Sequence, residues 1–366
     1  MTSVRTRGED IRRFILANVE KHPADISNVT TKRFGITRQA VHKHLQRLLS
    51  EGALSESGKT KSRKYKLAPL SEWAKTYVVS ADLAEDLVWR NDVQPALGQM
   101  PDNVSGIWHY GFTEMFNNAI DHSGGSEIRI SIKKTAAGTR MILSDNGIGI
   151  FKKIQSTMNL LDERHAILEL SKGKLTTDPK RHSGEGIFFT SRMFDGFNIL
   201  SGGVYFSHQF GEAEDWILET DKFSAGTSVF MELNNHTART AKKIFDQYTS
   251  GDEYGFNKTV VPVRLAQFGN EQLISRSQAK RLLARVELFK VVMFNFEGVQ
   301  SIGQAFSDEI FRVFALKHPE IKLMFMKANS EVKRMIERVQ SGTMAATEDT
   351  PTTQESFPGF GPESGR

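Results

Sequence analysis

The feature that most constrains this chain is a series of three polar or glycine-rich motifs between residues 107 and 195, each beside an apolar segment. The first, IWHYGFTEMFNNAIDH over 107–122, predicts an amphipathic helix. Glu114, Asn118 and Asp121 lie opposite its apolar face, at i, i+4 and i+7. Asn118 can offer a neutral oxygen to Mg²⁺ and Glu114 can accept a proton from water, so this face suits metal and water chemistry.

The second motif, SDNGIGI, ends the later of two predicted strands, 127–133 and 139–144. Asp145 stands just past the strand end, where a carboxylate can accept a hydrogen bond from an exocyclic amine. Gly147 and Gly149 allow the backbone to approach a ligand closely. Taken alone, Asp-Asn-Gly is only a turn signal.

The third motif, HSGEGIFFTSRMFD, follows a polar, basic stretch over 152–181 and opens an apolar helix. Gly184 and Gly186 precede this helix, and glycine backbone at a helix N-terminus favours anions. Further strand-like runs follow, the last preceded by AGT. Each motif alone also fits an ordinary turn or a solvated helix face, so their order within about 130 residues is what predicts a ligand site.

In this order the motifs resemble the GHKL ATP-binding superfamily, which includes gyrase-type ATPases, histidine kinases, mismatch-repair ATPases and anti-sigma-factor kinases. The resemblance covers about 105–235 and implies a Bergerat α/β sandwich that binds ATP and Mg²⁺. It implies that Glu114 is the general base, that Asn118 is the Mg²⁺ ligand and that Asp145 accepts from the adenine amine. The ATP-binding positions that it implies are Asn118, His122, Asp145, Gly147, Gly149, Lys174, Arg181, Gly184, Gly186 and Thr227. Lys172 and His182 are further candidates for the phosphates.

The first 68 residues, called the basic head below, are strongly charged. They hold 15 Lys and Arg against 6 Asp and Glu, whereas the whole chain has a net charge of only +5. The remaining 298 residues therefore carry a net negative charge. This asymmetry indicates an acidic partner for the basic head, most simply nucleic acid.

The pattern of the basic head is helix, helix, turn, helix and then two short strands, 54–57 and 64–67. The run FGITRQAVHKHLQRLLSEGALSESGKTKSRKYKL resembles winged helix-turn-helix domains, which implies binding of double-stranded DNA. A solvated charged helix, a protein contact and RNA are the alternatives. The residues expected to contact DNA, from the third helix and the basic loop between the strands, are Thr37, Arg38, Gln39, His42, Lys43, Arg47, Lys59, Lys61 and Arg63.

Strands and helices alternate in the last third of the chain, which predicts a small α/β sheet with parallel pairing. The run VVMFNFEGVQSIGQAFSDEIFRVF resembles STAS-like domains, with coverage of about 255–340. It implies a regulatory protein partner. The phosphorylated members of that group carry an Asp-Ser-Ser-Gly type motif where this chain has Gly303-Gln304-Ala305-Phe306. Ser301 and Ser307 flank the position and are weak candidates as phosphate acceptors.

We therefore expect an α/β multidomain chain: a winged helix-turn-helix over 1–68, a helical linker over 69–100, a GHKL domain over 101–235, a STAS-like domain over 236–340 and a disordered tail over 341–366. Cysteine is absent, which excludes disulfides and thiolate metal sites. No stretch reaches the ~20 apolar residues of a membrane span, and no signal peptide is visible. We expect a cytoplasmic homodimer that does not bind membranes.

Two functions follow from these resemblances. The first is a DNA-binding regulator that binds and slowly hydrolyses ATP, with the nucleotide state coupled to DNA or partner binding. The alternative is a serine/threonine kinase of the anti-sigma type that acts on a separate protein. A sensor histidine kinase is disfavoured, because none of the ten histidines precedes an acidic residue. A gyrase-like clamp is disfavoured, because a STAS-like domain is not the transducer domain of those enzymes.

Overall fold

Two hydrophobic cores divide the chain. The computed structural model describes residues 2–59, 62–176, 184–211, 215–249, 255–267 and 271–344. One core belongs to the basic head, and a single larger core runs through both the middle and the last third of the chain. The boundary expected at residue 235 therefore separates elements that share one core.

The basic head contains three helices and a two-stranded antiparallel hairpin. Its core forms because apolar residues recur every turn, as Ile11 and Ile15 do in the first helix and Val41 and Leu45 in the third. The predicted third helix and both predicted strands are confirmed. The elements are α1 (Thr2–Asn18), α2 (Ile26–Phe34), α3 (Arg38–Ser50), β1 (Leu54–Ser57) and β2 (Lys64–Leu67).

The middle segment forms a five-stranded antiparallel sheet in the order β3-β4-β5-β7-β6, with helices packed on one face. Residues alternate along β4, where Ile128, Ile130 and Ile132 are buried and Arg129 and Lys133 are exposed. The elements are β3 (Pro69–Val78), α4 (Glu85–Val88), α5 (Gln94–Leu97), α6 (Asp102–His122), β4 (Glu127–Thr135), β5 (Gly138–Asp145), α7 (Ile150–Met158), α8 (Glu163–Lys172), α9 (Gly186–Met193), β6 (Gly196–Gln209) and β7 (Trp216–Asn234).

The expected helical linker over 69–100 is wrong for its first ten residues. They form strand β3, which pairs with the whole length of β4 from Pro69↔Thr135 to Val78↔Glu127. The helical part is confined to 85–97, where a π-turn at Trp89–Val93 joins α4 to α5. Because only Tyr77 of β3 is buried, the strand shows little hydrophobic alternation in the sequence, and its pairing decides its structure.

The last third forms a three-stranded sheet in the order β10-β9-β8, and both pairings are parallel, as the alternation of strands and helices predicts. Helix α14 extends through Met344, so the expected tail at 341–366 is helical in its first four residues. Its remainder lies outside the described residues. The elements are α10 (Ala241–Gln247), β8 (Lys258–Pro262), α11 (Arg276–Leu283), β9 (Val291–Asn295), α12 (Gln304–Asp308), α13 (Ala315–Lys317), β10 (Lys322–Met326) and α14 (Ser330–Met344).

Among the described residues, no helix combines the length and the hydropathy that crossing a membrane requires.

Candidate functional site

A cavity of about 300 Å³ lies between the helical layer and the sheet of the middle segment. Seven of the eleven residues expected at the nucleotide site line it, and they come from separated stretches of the chain. These seven are Glu114, Asn118, His122, Asp145, Gly184, Gly186 and Thr227.

Helix α6 supplies one wall of the cavity. Glu114, Asn118 and His122 recur at i, i+4 and i+8, so the three side chains lie along one side of the helix. The opposite side buries Trp108, Phe112 and Phe116 in the core, which fixes the rotation of the helix. Asp121, the third polar residue of the motif, is exposed and does not line the cavity.

Asp145 stands at the end of β5, where its carboxylate is held by backbone amides. Its Oδ1 accepts from the amide of Gly147 at 2.9 Å and from that of Thr227 at 3.2 Å. Burial raises the pKa of Asp145, and these two N–H donors oppose the rise. Neither bond uses Oδ2, so this oxygen is the one that can accept from a ligand.

Gly226 lets the chain pass close to this aspartate. Its φ is +70°, and a Cβ there would lie 2.0 Å from the carbonyl oxygen of Asp145. Next to it, the hydroxyl of Thr227 accepts from the amide of Ile150 at 2.9 Å, which ties β7 to the first residue of α7. The AGT run therefore fixes both the acceptor carboxylate and the helix beside it.

Gly186 opens α9 directly against the general-base candidate. A Cβ on Gly186 would lie 2.0 Å from Oε2 of Glu114. Glycine at this position therefore leaves the space that the carboxylate of Glu114 occupies. In the residue before Gly186, burial raises the pKa of Glu185, and the nearby Lys174 ammonium lowers it.

Three of the remaining expected residues, Gly147, Gly149 and Lys174, are not part of the cavity lining. Gly147 and Gly149 act on residues that do line the cavity. The amide of Gly147 donates to Asp145, and Gly149 precedes α7 with a φ of +89°. Lys174 instead donates to the carbonyl of Leu288 at 2.9 Å. Lys172, a further phosphate candidate, is fully buried and donates to Glu169 at 2.7 Å. The expected Arg181 and the candidate His182 lie outside the described residues.

One cation in the cavity wall was missed by the sequence argument. Lys153 lines the cavity from α7, and its ammonium donates to the carbonyl of His122 at 2.7 Å. It lies three residues into the helix that follows SDNGIGI. The sequence did carry a signal for this helix, because the apolar residues Ile150 and Ile154 lie one turn apart, and both line the cavity. The helix begins at the last residue of the motif, however, so the spacing alone did not reveal it.

The residues expected to contact DNA come from α3, its N-cap and the β1–β2 hairpin of the basic head. Thr37 caps α3 by accepting from the amide of Ala40 at 3.2 Å. Two of the expected cations have acidic neighbours: Arg47 bonds Glu51 at 2.7 Å and Arg63 lies 3.4 Å from Glu56. Lys61 lies outside the described residues. The exposed side chains among them are Thr37, Arg38, Gln39, His42, Lys43, Arg47 and Lys59.

Comparison with known proteins bears on the last third of the chain. Residues 278–333 match the family described as a STAS-like domain of unknown function (DUF4325). The match runs from within α11 to the start of α14, and it confirms the predicted STAS-like character of this part, called the STAS-like domain below. No curated protein matches the chain.

Proposed function

We propose that the middle segment is a GHKL-type ATP-binding domain and that the protein is a nucleotide-controlled, DNA-binding regulator. The observation that carries the first part is the cavity, because residues from four separated motifs line one space of about 300 Å³. That volume is at the lower end of small-molecule sites. A five-stranded antiparallel sheet with helices on one face also fits the Bergerat sandwich.

The side chains in the cavity support distinct roles. Oδ2 of Asp145 would accept from the exocyclic amine of adenine. Glu114 would accept a proton from an attacking water, since a carboxylate beside the reacting group can act as a general base. Gly184 and Gly186, at the start of α9, offer backbone donors to phosphate oxygens, and Lys153 adds a positive charge.

Magnesium would enter with the nucleotide. No group of three or more His, Asp or Glu side chains within the described residues could hold an ion by itself. Asn118 fits a shared site, because its amide oxygen is a ligand type that Mg²⁺ accepts, with phosphates and water as the other ligands. When bound, the ion would neutralise charge on the phosphates.

The basic head supports binding of double-stranded DNA as a winged helix-turn-helix. Its third helix exposes Arg38, Gln39 and Lys43 opposite a buried apolar stripe, which suits contact with base edges and phosphates in the major groove. We propose that the chain acts as a homodimer with one head on each half of a two-fold DNA site. The STAS-like domain supports a protein partner.

The fate of the γ-phosphate tests the proposal. Purified protein is incubated with Mg²⁺ and γ-labelled ATP, with and without cell lysate, beside Glu114→Ala. We expect slow release of free phosphate by the wild-type protein and none above background by the variant, which should still bind ATP. Normal hydrolysis by Glu114→Ala would show that the general base is assigned wrongly.

The kinase alternative is an outcome of the same experiment. Ser307 of the STAS-like domain is fully buried, so transfer to it within the chain has no structural support. Label on a separate protein in the lysate, lost in Glu114→Ala, would make the protein a serine/threonine kinase instead.

A further inference from the structure

The C-terminal end of helix α8, in the middle segment, contacts a cation of the STAS-like domain. The C-terminal end of helix α11, in the STAS-like domain, contacts a cation of α8. The ammonium of Lys172, at the end of α8, donates to the carbonyls of Arg281 at 3.1 Å and Ala284 at 2.8 Å. These carbonyls close α11, whose last turn leaves such groups without partners in the helix. The middle segment thus caps a helix of the STAS-like domain.

The reverse contact comes from Arg285, two residues beyond α11. Its guanidinium donates to the carbonyl of Gly173 at 3.2 Å and also to that of Lys174. Both carbonyls lie just after α8. Positive charge at a helix C-terminus is favourable because the carbonyl ends carry partial negative charge.

One carboxylate joins the two cations. Glu169 accepts from Lys172 at 2.7 Å and from Arg285 at 3.2 Å, and its side chain is only 2% exposed. Because a buried charge without a partner is strongly destabilising, this three-residue cluster favours a single arrangement of the two domains. The cluster of Glu169, Lys172 and Arg285 is called the clasp below.

The clasp lies beside the cavity wall. Leu170, between its two α8 members, lines the cavity, as do Leu175 and Thr176, directly after the carbonyls that Arg285 holds. The amide of Leu175 donates to the carbonyl of Gly184 at 3.0 Å, which connects this stretch to a glycine of the same cavity. Any shift of Gly173 and Lys174 would therefore move a wall of the cavity.

We propose that Arg285 is a positioning residue for the ligand cavity: from the STAS-like domain, it fixes the backbone of Gly173 and Lys174 and thereby holds Leu175 and Thr176 in the wall. The STAS-like domain is then a structural part of the site. The identity of the ligand, an adenine nucleotide, rests on the proposed function, whereas the effect on the wall does not.

The test replaces Arg285 in the full chain. Arg285 has a φ of +63°, a conformation that glycine adopts without strain, so Arg285→Gly removes the guanidinium and keeps the backbone. Hydrogen exchange is measured without nucleotide, and the dissociation constant for ADP is measured by calorimetry. We expect faster exchange at residues 173–176 and about tenfold weaker ADP binding if the ordered wall falls to a tenth of its population.

Two further variants separate positioning from general stability. Arg312→Ala removes an arginine of the same domain that pairs with Asp308 away from the cavity. This variant should leave the exchange at 173–176 and the ADP affinity unchanged. Arg285→Lys keeps the charge and should restore part of the ADP affinity and of the slow exchange. If Arg285→Gly does not fold, the comparison of Arg285→Lys with Arg312→Ala carries the test.

The outcomes distinguish this inference from the proposed function. A folded Arg285→Gly with wild-type exchange and wild-type ADP affinity would overturn the positioning role. The same result for Arg285→Lys, if only that variant folds, would also overturn it. Faster exchange at 173–176 in a chain whose wild-type form binds no ADP would support the clasp and sink the nucleotide assignment.

Discussion

At the residue scale, the candidate site depends on a few atoms with fixed partners. Asp145 is the clearest example, since two backbone amides donate to one of its oxygens and neither donates to the other. Its surroundings, and not its identity alone, make it a selective acceptor. Two substitutions test this level of the structure.

Asp145→Asn should weaken ADP binding by about 10- to 100-fold, because hydrogen bonds to charged groups contribute about 1.5–3 kcal/mol. Asparagine keeps an oxygen for the two backbone donors but turns an amide NH₂ toward the amine of the ligand. Calorimetric titration with ADP measures the loss. Asp121→Asn is the matched control, since Asp121 is an exposed aspartate of α6 that does not line the cavity, and this variant should bind ADP as the wild type does.

Gly226→Ala should destabilise the folded chain by about 1–3 kcal/mol or more, from a strained φ and a Cβ that would lie 2.0 Å from the carbonyl of Asp145. Gly124→Ala is the control for strain alone, because Gly124 has a φ of +66° and no atom within 4 Å of an added Cβ. Denaturant unfolding compares the two variants. Equal destabilisation would show that the contact with Asp145 carries no cost.

At the element scale, α8 decides how the middle segment and the STAS-like domain meet. Nearly the whole helix is buried, including the three ionisable residues His165, Glu169 and Lys172. From the sequence ELSKGKL, we predict that the lysines are solvated and lie near a ligand. The structure instead uses Lys172 as a buried cap, because the ends of two helices meet there and need donors.

His165 of α8 should make the contact between the middle segment and the STAS-like domain sensitive to acid. Burial lowers the pKa of His165 below 6.5, and Arg281 lowers it further, while Asp162 and Glu169 oppose the shift and Lys172 adds to it. The unfolded chain therefore takes up this proton first, so stability is full above about pH 6.5 and is lost as the pH falls.

Calorimetric melting of the wild type and of His165→Gln at pH 8 and pH 5.5 checks this expectation. The Tm of the wild type should fall more between the two pH values than that of the variant. Measurement at pH 8 corrects for any loss of packing, since His165 is neutral there in both the folded and unfolded states. Parallel losses of Tm would contradict the role of His165.

At the scale of the whole molecule, the basic head and the cavity lie at opposite ends of the sheet. Ala136, before β5, packs against the core of the head, whereas Asp145 ends the same strand at the cavity. Eight residues of strand separate them by about 24 Å. The head also has its own core, so substitutions on its surface should leave the cavity intact.

Arg38→Ala and Lys43→Ala should each weaken DNA binding and reduce its dependence on salt, since each lost phosphate contact lowers the slope by about one. ADP affinity should stay at the wild-type value. Fluorescence anisotropy with duplex DNA at several salt concentrations measures the first effect. Lys242→Ala, an exposed lysine of α10, is the control and should bind DNA normally.

The sequence by itself determined most elements and the composition of the candidate site. Sequence pattern predicted α3 and also predicted β1 and β2 with their observed bounds, and motif order singled out seven residues that line one cavity. Only the tertiary structure decided that β3 is a strand, that Lys172 and Lys174 turn away from the cavity, and that the STAS-like domain shares a core with the middle segment. The reason is physical: periodicity and glycine record local geometry, whereas strand pairing and buried ion pairs depend on groups brought together from distant parts of the chain.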